Sequence, residues 1–207
     1  AGACYVVLGG IAGIASGSLA NASAKLLGEA QTDYAGQLVA AAGDVNGDGL
    51  QDLLIGAQGQ DSAAQSAGAV YVVHGSAAGI TSGSLAAANA KLTGEAAADE
   101  AGRAGASAGD LDGDGYSDLL VSSIQNDGGG PNAGAIYVLR GSAAGIVSGS
   151  LSQADAIIVG VAQNDSLGAA VAGAGDTDGD GLLEFLGGGR GVGNDQQGAA
   201  FLFETSY

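Results

Sequence analysis

The chain of 207 residues is poor in several residue types, and each shortage excludes a class of protein. Its single cysteine, Cys4, permits no internal disulfide, and a thiol within the apolar run 4–8 is expected to be buried and structural. Five basic residues stand against 22 acidic ones, giving a net charge of −17, which opposes binding to nucleic acid and to anionic membranes. Aromatic residues make up 4% and Trp is absent, so stacking platforms for bases or sugars are scarce.

Two further absences concern the context of the chain. No apolar run approaches the roughly 18 residues needed to cross a bilayer, so no membrane span is predicted. Methionine is absent, also at position 1, which indicates a processed product or a piece of a longer chain. With one proline, 41 glycines and 46% hydrophobic residues, the composition is neither collagen-like nor disordered. The core must therefore be built largely from small side chains.

What the chain has instead is a nine-residue acidic stretch that occurs three times. The copies begin at Asp44, Asp110 and Asp176, so their spacings are 110 − 44 = 66 and 176 − 110 = 66 residues. A fixed period of this size indicates a repeat architecture in place of two independent domains.

Each stretch has oxygen-bearing side chains at positions 1, 3, 5 and 9, and glycine at positions 4 and 6. Calcium binds about six to eight oxygens, usually including a backbone carbonyl at position 7, so three calcium ions per chain are predicted. Polar turns rich in Asp and Gly are the structural alternative, but threefold recurrence of the whole ligand set argues against it. The predicted ligands are Asp44, Asn46, Asp48, Leu50 and Asp52 in the first loop, Asp110, Asp112, Asp114, Tyr116 and Asp118 in the second, and Asp176, Asp178, Asp180, Leu182 and Glu184 in the third.

The loops do not fit an EF-hand. An EF-hand requires a Glu at position 12, where this chain has Ile55, Val121 and Gly187. The flanking segments also lack a helical period, and they are short apolar runs bounded by Gly and Asp, which is typical of buried strands. Each loop is therefore expected to connect two strands of a hairpin.

The unit spanning residues 31–96 predicts four strands, at about 36–42, 52–57, 69–74 and 90–94, with a long turn-rich connection at 75–89. Residues 97–162 repeat this unit completely. Residues 1–30 supply only third and fourth strands, at 3–8 and 24–28, and residues 163–207 supply the first three, the last at 199–203. Four strands per radial repeat are typical of a propeller blade. The sequence therefore predicts an all-β propeller of four-stranded antiparallel blades, with three blades' worth in one chain.

Three blades are fewer than the roughly four to eight with which propellers close, and open flanks are normally covered. Two chains can close a six-bladed ring if the N-terminal fourth strand of each completes the last blade of the other. We expect this homodimer. The alternative is a piece of a longer, seven-bladed chain.

Several short motifs carry a family resemblance. They are the loops themselves, the Gly-Asp pair that opens each one (43–44, 109–110 and 175–176), and the glycine of Tyr34-Ala35-Gly36. Together they resemble the FG-GAP repeats of the integrin α-subunit β-propeller and its bacterial relatives. The Phe-Gly of that family stands here as Ala35-Gly36, Ala101-Gly102 and Leu167-Gly168.

This resemblance covers essentially the whole chain and implies a function. It implies a calcium-binding, non-catalytic binding or adhesion module, secreted or at the cell surface, whose partner is an extracellular protein or glycan. Calcium loops of this open kind also suit the high calcium outside cells, with dissociation constants of about 10⁻⁴ to 10⁻³ M.

Two other functions stay open. One is a hydrolase-associated propeller that acts on phosphate esters or glycans through calcium, which would need basic groups around an open calcium position when only five are available. The other is a scaffold unit that oligomerises through its blade edges. No catalytic residue is predicted: His74, the only histidine, occupies a position held by Leu8 and Arg140 in neighbouring units.

Overall fold

A computed structural model describes residues 1–193 and 197–205 of the chain. Within these residues the structure is all-β apart from three single-turn 3-10 helices at Leu19–Asn21, Leu85–Ala87 and Leu151–Gln153. The strands are β1 (Ala3–Val6), β2 (Ala24–Leu27), β3 (Leu38–Gly43), β4 (Asp52–Ala57), β5 (Ala69–Val73), β6 (Gly83–Ser84), β7 (Ala90–Thr93), β8 (Gly105–Gly109), β9 (Asp118–Ser123), β10 (Ala135–Leu139), β11 (Gly149–Ser150), β12 (Ala156–Val159), β13 (Leu167–Gly175), β14 (Glu184–Gly189) and β15 (Ala199–Phe203).

The strands form four sheets in chain order. Their strand orders are β1-β2-β6, β11-β7-β5-β4-β3, β12-β10-β9-β8 and β13-β14-β15. Consecutive long strands pair antiparallel, as in a meander. The first strands of successive sheets also touch, since β3 contacts β8 and β8 contacts β13. The sheets therefore stand side by side as propeller blades do.

The strands form where apolar runs are bounded by Gly and Asp. In β9 all six residues are buried, and in β5 four of five are, because both strands lie inside a sheet with neighbours on either face. The core accordingly forms between adjacent sheets in three clusters. Cys4 is buried in the first of these gaps, and burial raises the pKa of its thiol, as expected for an unreactive structural cysteine.

Small residues let the sheets approach each other. Gly56 in β4 faces the backbone of the next unit, and a methyl group there would overlap the carbonyl oxygen of Gly102.

The predicted strands 52–57 and 199–203 are confirmed, and the predicted first strand at 36–42 is observed as Leu38–Gly43.

The connection at 75–89, predicted to be rich in turns, also contains regular structure. It contains β6 and a 3-10 turn, and β6 pairs in parallel with β2 of the preceding sheet through Leu26↔Gly83 and Leu27↔Ser84. The same happens 66 residues later, where β11 pairs with β7. Each connection thus adds a short strand to the edge of the preceding sheet. The second sheet therefore has five strands, including β11, where four were predicted.

Candidate metal centres

Each acidic loop lies in the hairpin between the first and second strands of a sheet. The first loop (44–52) joins β3 to β4, the second (110–118) joins β8 to β9, and the third (176–184) joins β13 to β14. The strand register shifts at the base of all three hairpins, next to Gly43, Gly109 and Gly175. The repeat thus places the three loops equivalently.

The position 1 carboxylate folds the loop around itself. Asp44 Oδ1 accepts hydrogen bonds from the N–H groups of Gly47 (2.7 Å) and Asp48 (3.1 Å), and Oδ2 accepts one from Gly49 (2.8 Å). Gly47 and Gly49 have φ of 73° and 83°, which side chains disfavour. Desolvation raises the pKa of Asp44, but these backbone hydrogen bonds outweigh it and the net pKa is lowered. The carboxylate therefore stays ionised.

The second and third loops repeat this turn. Asp110 Oδ2 accepts from Gly115 N–H at 2.8 Å, and Asp176 Oδ2 accepts from Gly181 N–H at 3.1 Å. The position 5 carboxylate in turn accepts a hydrogen bond from the backbone N–H at position 7 of the same loop. The distances are 2.9 Å for Leu50 to Asp48, 3.0 Å for Tyr116 to Asp114 and 2.8 Å for Leu182 to Asp180. That the carbonyls of Leu50, Tyr116 and Leu182 bind calcium stays a prediction.

The position 9 carboxylate anchors the loop from inside the protein. Asp118 has no exposed surface; its Oδ2 accepts from Leu111 N–H (2.8 Å) and its Oδ1 from Gly141 N–H (2.9 Å). Asp52 makes the equivalent bonds in the first loop. Burial raises the pKa of Asp118, the two hydrogen bonds oppose the rise, and the negative charges of Asp112 and Asp114 add to it. A cation would relieve this repulsion.

Carboxylates converge in the second and third loops. One oxygen from each of Asp110, Asp112 and Asp118 lies within 4.8 Å of the others, and Asp176, Asp178 and Glu184 form the same arrangement. Oxygens bound to one calcium ion at about 2.3–2.6 Å lie up to about 5 Å apart, so both groups fit a hard cation. These triads consist of positions 1, 3 and 9.

The first loop forms no such triad of carboxylates in the described chain, because its position 3 is Asn46. The Asn46 amide instead donates from Nδ2 to Asp48 Oδ2 (3.1 Å), while its Oδ1 accepts from Asp48 N–H (3.1 Å). The amide oxygen thus points into the loop, as a neutral calcium ligand would. The residues fit calcium here with one charge fewer.

Residues outside the predicted ligand set also reach the loops. His74 Nδ1 lies 3.2 Å from Asn46 Nδ2, and Arg140 Nη1 lies 3.1 Å from Asp112 Oδ2. Each follows the third strand of its sheet, and the spacings are equal, 74 − 46 = 28 and 140 − 112 = 28. This common spacing is a signal in the sequence that the ligand assignment did not use.

Neighbouring loops also touch each other. The Tyr116 ring of the second loop covers Gly47 of the first, so closely that a methyl group on Gly47 would overlap the ring. Ser117 Oγ accepts from Asp44 N–H at 3.2 Å, and Ser117 N–H donates to the Asp44 carbonyl at 2.9 Å. The first and second loops are thus held against one another at one end of the sheets.

Fold and loops together define an all-β repeat protein with blade-like sheets and acidic hairpin loops. The FG-GAP repeat family matches residues 35–73 and 101–139. The chain therefore carries two FG-GAP repeats, which confirms the resemblance for the second and third sheets. Each match begins just before the first strand of its sheet and ends at the last residue of the third strand. The two matches therefore include the first and the second loop.

FG-GAP repeats are typical of propeller modules that bind partners without catalysing a reaction. Among the described residues, no helix is long and apolar enough to cross a membrane.

Proposed function

We propose that this chain is a calcium-stabilised, non-catalytic binding module that works outside cells, where calcium is high. Three calcium ions, one per loop, would hold the hairpins, and the face that carries the loops would meet an extracellular protein or glycan. The observation that carries this proposal is the convergence of three carboxylates in the second and third loops.

Electrostatics support the calcium part of the proposal. Two unit charges about 4 Å apart repel by roughly 1–4 kcal/mol between water-like and surface-like dielectric, and each triad contains three such pairs. A divalent ion turns this repulsion into attraction, and three ions would change the net charge from −17 to −17 + 6 = −11.

Thermal unfolding with and without calcium tests this function. Calcium should raise stability by about 1.4 kcal/mol per site at tenfold excess over the dissociation constant, and a chelator should remove the gain. Asp110→Ala should lose part of the gain. Glu100→Gln, which removes a carboxylate paired with Arg103 at 3.1 Å away from the loops, is the matched control. Identical melting curves in calcium and in chelator would refute the proposal.

The proposed blades are residues 31–96 and 97–162, with partial blades at 1–30 and 163–207, and we propose that two chains complete them. The connections that carry β6 and β11 support this proposal, because each places a leucine in the gap between two neighbouring sheets. Leu85 is 1% exposed and Leu151 is 0% exposed. In the first connection Leu19 follows the same Ser-Gly-Ser sequence, but it is 56% exposed. Unlike Leu85 and Leu151, Leu19 therefore packs into no gap between sheets in the described chain.

A matching gap exists at the other end. β12 ends its sheet with no outer partner among the described residues, and a cavity of about 500 Å³ lies beside it, lined by Val138, Ile158, Phe185 and Phe203 among others. The register of β6 and β11, moved on by the repeat period, would pair Gly17 with Ile158 and Ser18 with Val159.

We therefore propose that the connection of a second copy fills this gap and that its β2 lines up beside β15, giving a six-bladed ring. Since β15 already occupies the third-strand position, β1 of the incoming copy must separate from β2. Light scattering should give twice 19.4 kDa. Leu19→Asp should yield monomers, whereas Leu8→Asp, at a residue 64% exposed, should not. A monomeric wild type would contradict the ring and favour a piece of a longer propeller.

A further inference from the structure

The residue after the third strand contacts position 3 of the loop in both complete sheets. β4 begins at the position 9 carboxylate and pairs with β5, and β9 pairs in the same way with β10. The chain that leaves the third strand is then held against the loop, because the position 9 carboxylate accepts a hydrogen bond from the N–H of Gly75 (2.8 Å) or Gly141 (2.9 Å). His74 and Arg140 are held directly before these glycines.

We propose that Arg140 lowers the calcium affinity of the second loop. This inference rests on the proposed calcium function. The Arg140 guanidinium lies 3.1 Å from Asp112 Oδ2, while Asp112 Oδ1 accepts from Asp114 N–H at 3.3 Å inside the loop. One oxygen of this predicted ligand therefore lies inside the loop, and the other faces a permanent positive charge.

Two effects of Arg140 act in the same direction. Calcium affinity depends on the number of negative ligands, and the guanidinium neutralises one of them. The guanidinium also repels the divalent ion itself. Arginine stays charged at every accessible pH, so this reduction of affinity is constant and does not switch with pH.

Other charges around Arg140 do not cancel the effect. Asp155 Oδ2 accepts the backbone N–H of Arg140 at 2.8 Å, and Glu204 lines the same cavity as Asp112 and Arg140. Both are negative and remain in place when Arg140 is changed. A comparison of variants at position 140 therefore isolates the guanidinium.

The other units differ at the equivalent position. The first has His74 beside a neutral ligand, Asn46. In the third, the residue after β15 is Glu204, which is exposed and negative. The three loops thus share one backbone and carry different outer charges, so the chain would bind its calcium ions with unequal affinities.

The expected size of the effect is moderate. Repulsion between a guanidinium and a divalent ion about 6 Å apart in water corresponds to roughly a tenfold change in affinity, and physiological salt reduces this to about threefold. The Arg140 side chain is 58% exposed, so the fold should tolerate its replacement.

Calcium titrations by calorimetry, and terbium luminescence excited through Tyr116, would test the inference. Arg140→Gln should tighten one binding step by about threefold to tenfold, less at higher salt. Arg140→Lys keeps the charge and should stay near wild type. Arg103→Gln, which breaks a 3.1 Å pair with Glu100 away from the loops, is the control. In an Asp110→Ala background the gain from Arg140→Gln should vanish, because the second loop no longer binds.

The outcomes separate the two proposals. If wild type binds calcium and Arg140→Gln leaves every step unchanged, the inference is wrong and the calcium function stands. The inference is also wrong, and the calcium function still stands, if Arg140→Lys tightens calcium binding as much as Arg140→Gln does. If wild type binds no calcium or terbium, the function and the inference are both wrong.

Discussion

The first and second loops have the same backbone and different charges. In both, the position 1 carboxylate gathers the N–H groups of the turn and a buried carboxylate at position 9 closes it. At position 3, however, Asn46 faces His74 in the first loop, whereas Asp112 faces Arg140 in the second. Loop geometry and loop charge can therefore vary independently. The carboxylates at positions 1 and 9 set the shape, while the residue at position 3 and the side chain that contacts it, His74 or Arg140, set the charge.

The largest expected effect is on the free energy of unfolding, and it concerns the position 9 carboxylates that both loops share. Asp52→Asn and Asp118→Asn should each destabilise the protein by about 2–4 kcal/mol, because an amide N–H₂ group would then face a buried backbone N–H donor. The measurement is urea unfolding in the presence of chelator, which removes any contribution from calcium. Since both anchors accept two backbone N–H groups, the two losses should be similar. A loss in only one loop would show that the loops do not share an anchor.

A smaller effect should follow from exchanging the position 3 residues. Asn46→Asp should raise the calcium affinity of the first loop about tenfold by completing a carboxylate triad, and Asp112→Asn should lower that of the second by a similar factor. Calorimetric titration of both variants measures this. Affinities that do not move, or that move together, would mean that position 3 is not a ligand.

The removal of the position 5 carboxylate should act on one loop at a time. Asp114→Ala should weaken calcium binding at the second loop and leave the other steps in place, and Asp48→Ala should do the same for the first. If titration of Asp114→Ala still shows all sites filled with wild-type affinity, the position 5 assignment is wrong.

The smallest expected effect is a pH dependence of stability. Burial raises the native pKa of Asp118, and burial also raises that of Asp99. Their contribution is thus complete below the unfolded pKa of about 3.9 and is lost as the pH rises through the higher native pKa. In chelator, stability should fall over this window.

Calcium provides the comparison for this pH effect. It should remove the part due to Asp118, because the ion compensates the ionised carboxylate, and leave the part due to Asp99, which lies outside the loops. Melting temperatures measured against pH in calcium and in chelator test this. Parallel curves would show that Asp118 does not respond to the ion.

Much of the fold could be predicted from local sequence. The strand at 52–57 was predictable because a short apolar run bounded by Gly and Asp is typical of a buried strand, and the loops because their side-chain oxygens recur every 66 residues. The strand at 199–203 was predictable as the third strand of the last unit, although most of its residues are exposed. β6 and β11 could not be predicted in this way, since each is a Gly-Ser pair with no apolar period and forms only because the preceding sheet offers an edge.

Long-range polar contacts were equally hidden. Arg140 and Asp112 meet because β9 and β10 pair in one register, and nothing local to either residue shows it. The buried hydroxyls of Tyr71 and Tyr137 donate to Glu29 (2.8 Å) and Glu95 (2.6 Å), 42 residues earlier in each case. Such contacts follow from the tertiary fold, and only their repetition from unit to unit leaves a trace in the sequence.

A calorimetric calcium titration of the wild type beside the triple variant Asp44→Ala/Asp110→Ala/Asp176→Ala tests the central claim most directly. The account predicts three ions per wild-type chain and none at the loops of the variant, with magnesium much weaker because these flexible oxygen sites suit the larger ion. A wild type that takes up no calcium, or a triple variant that binds as many ions as the wild type, would contradict it.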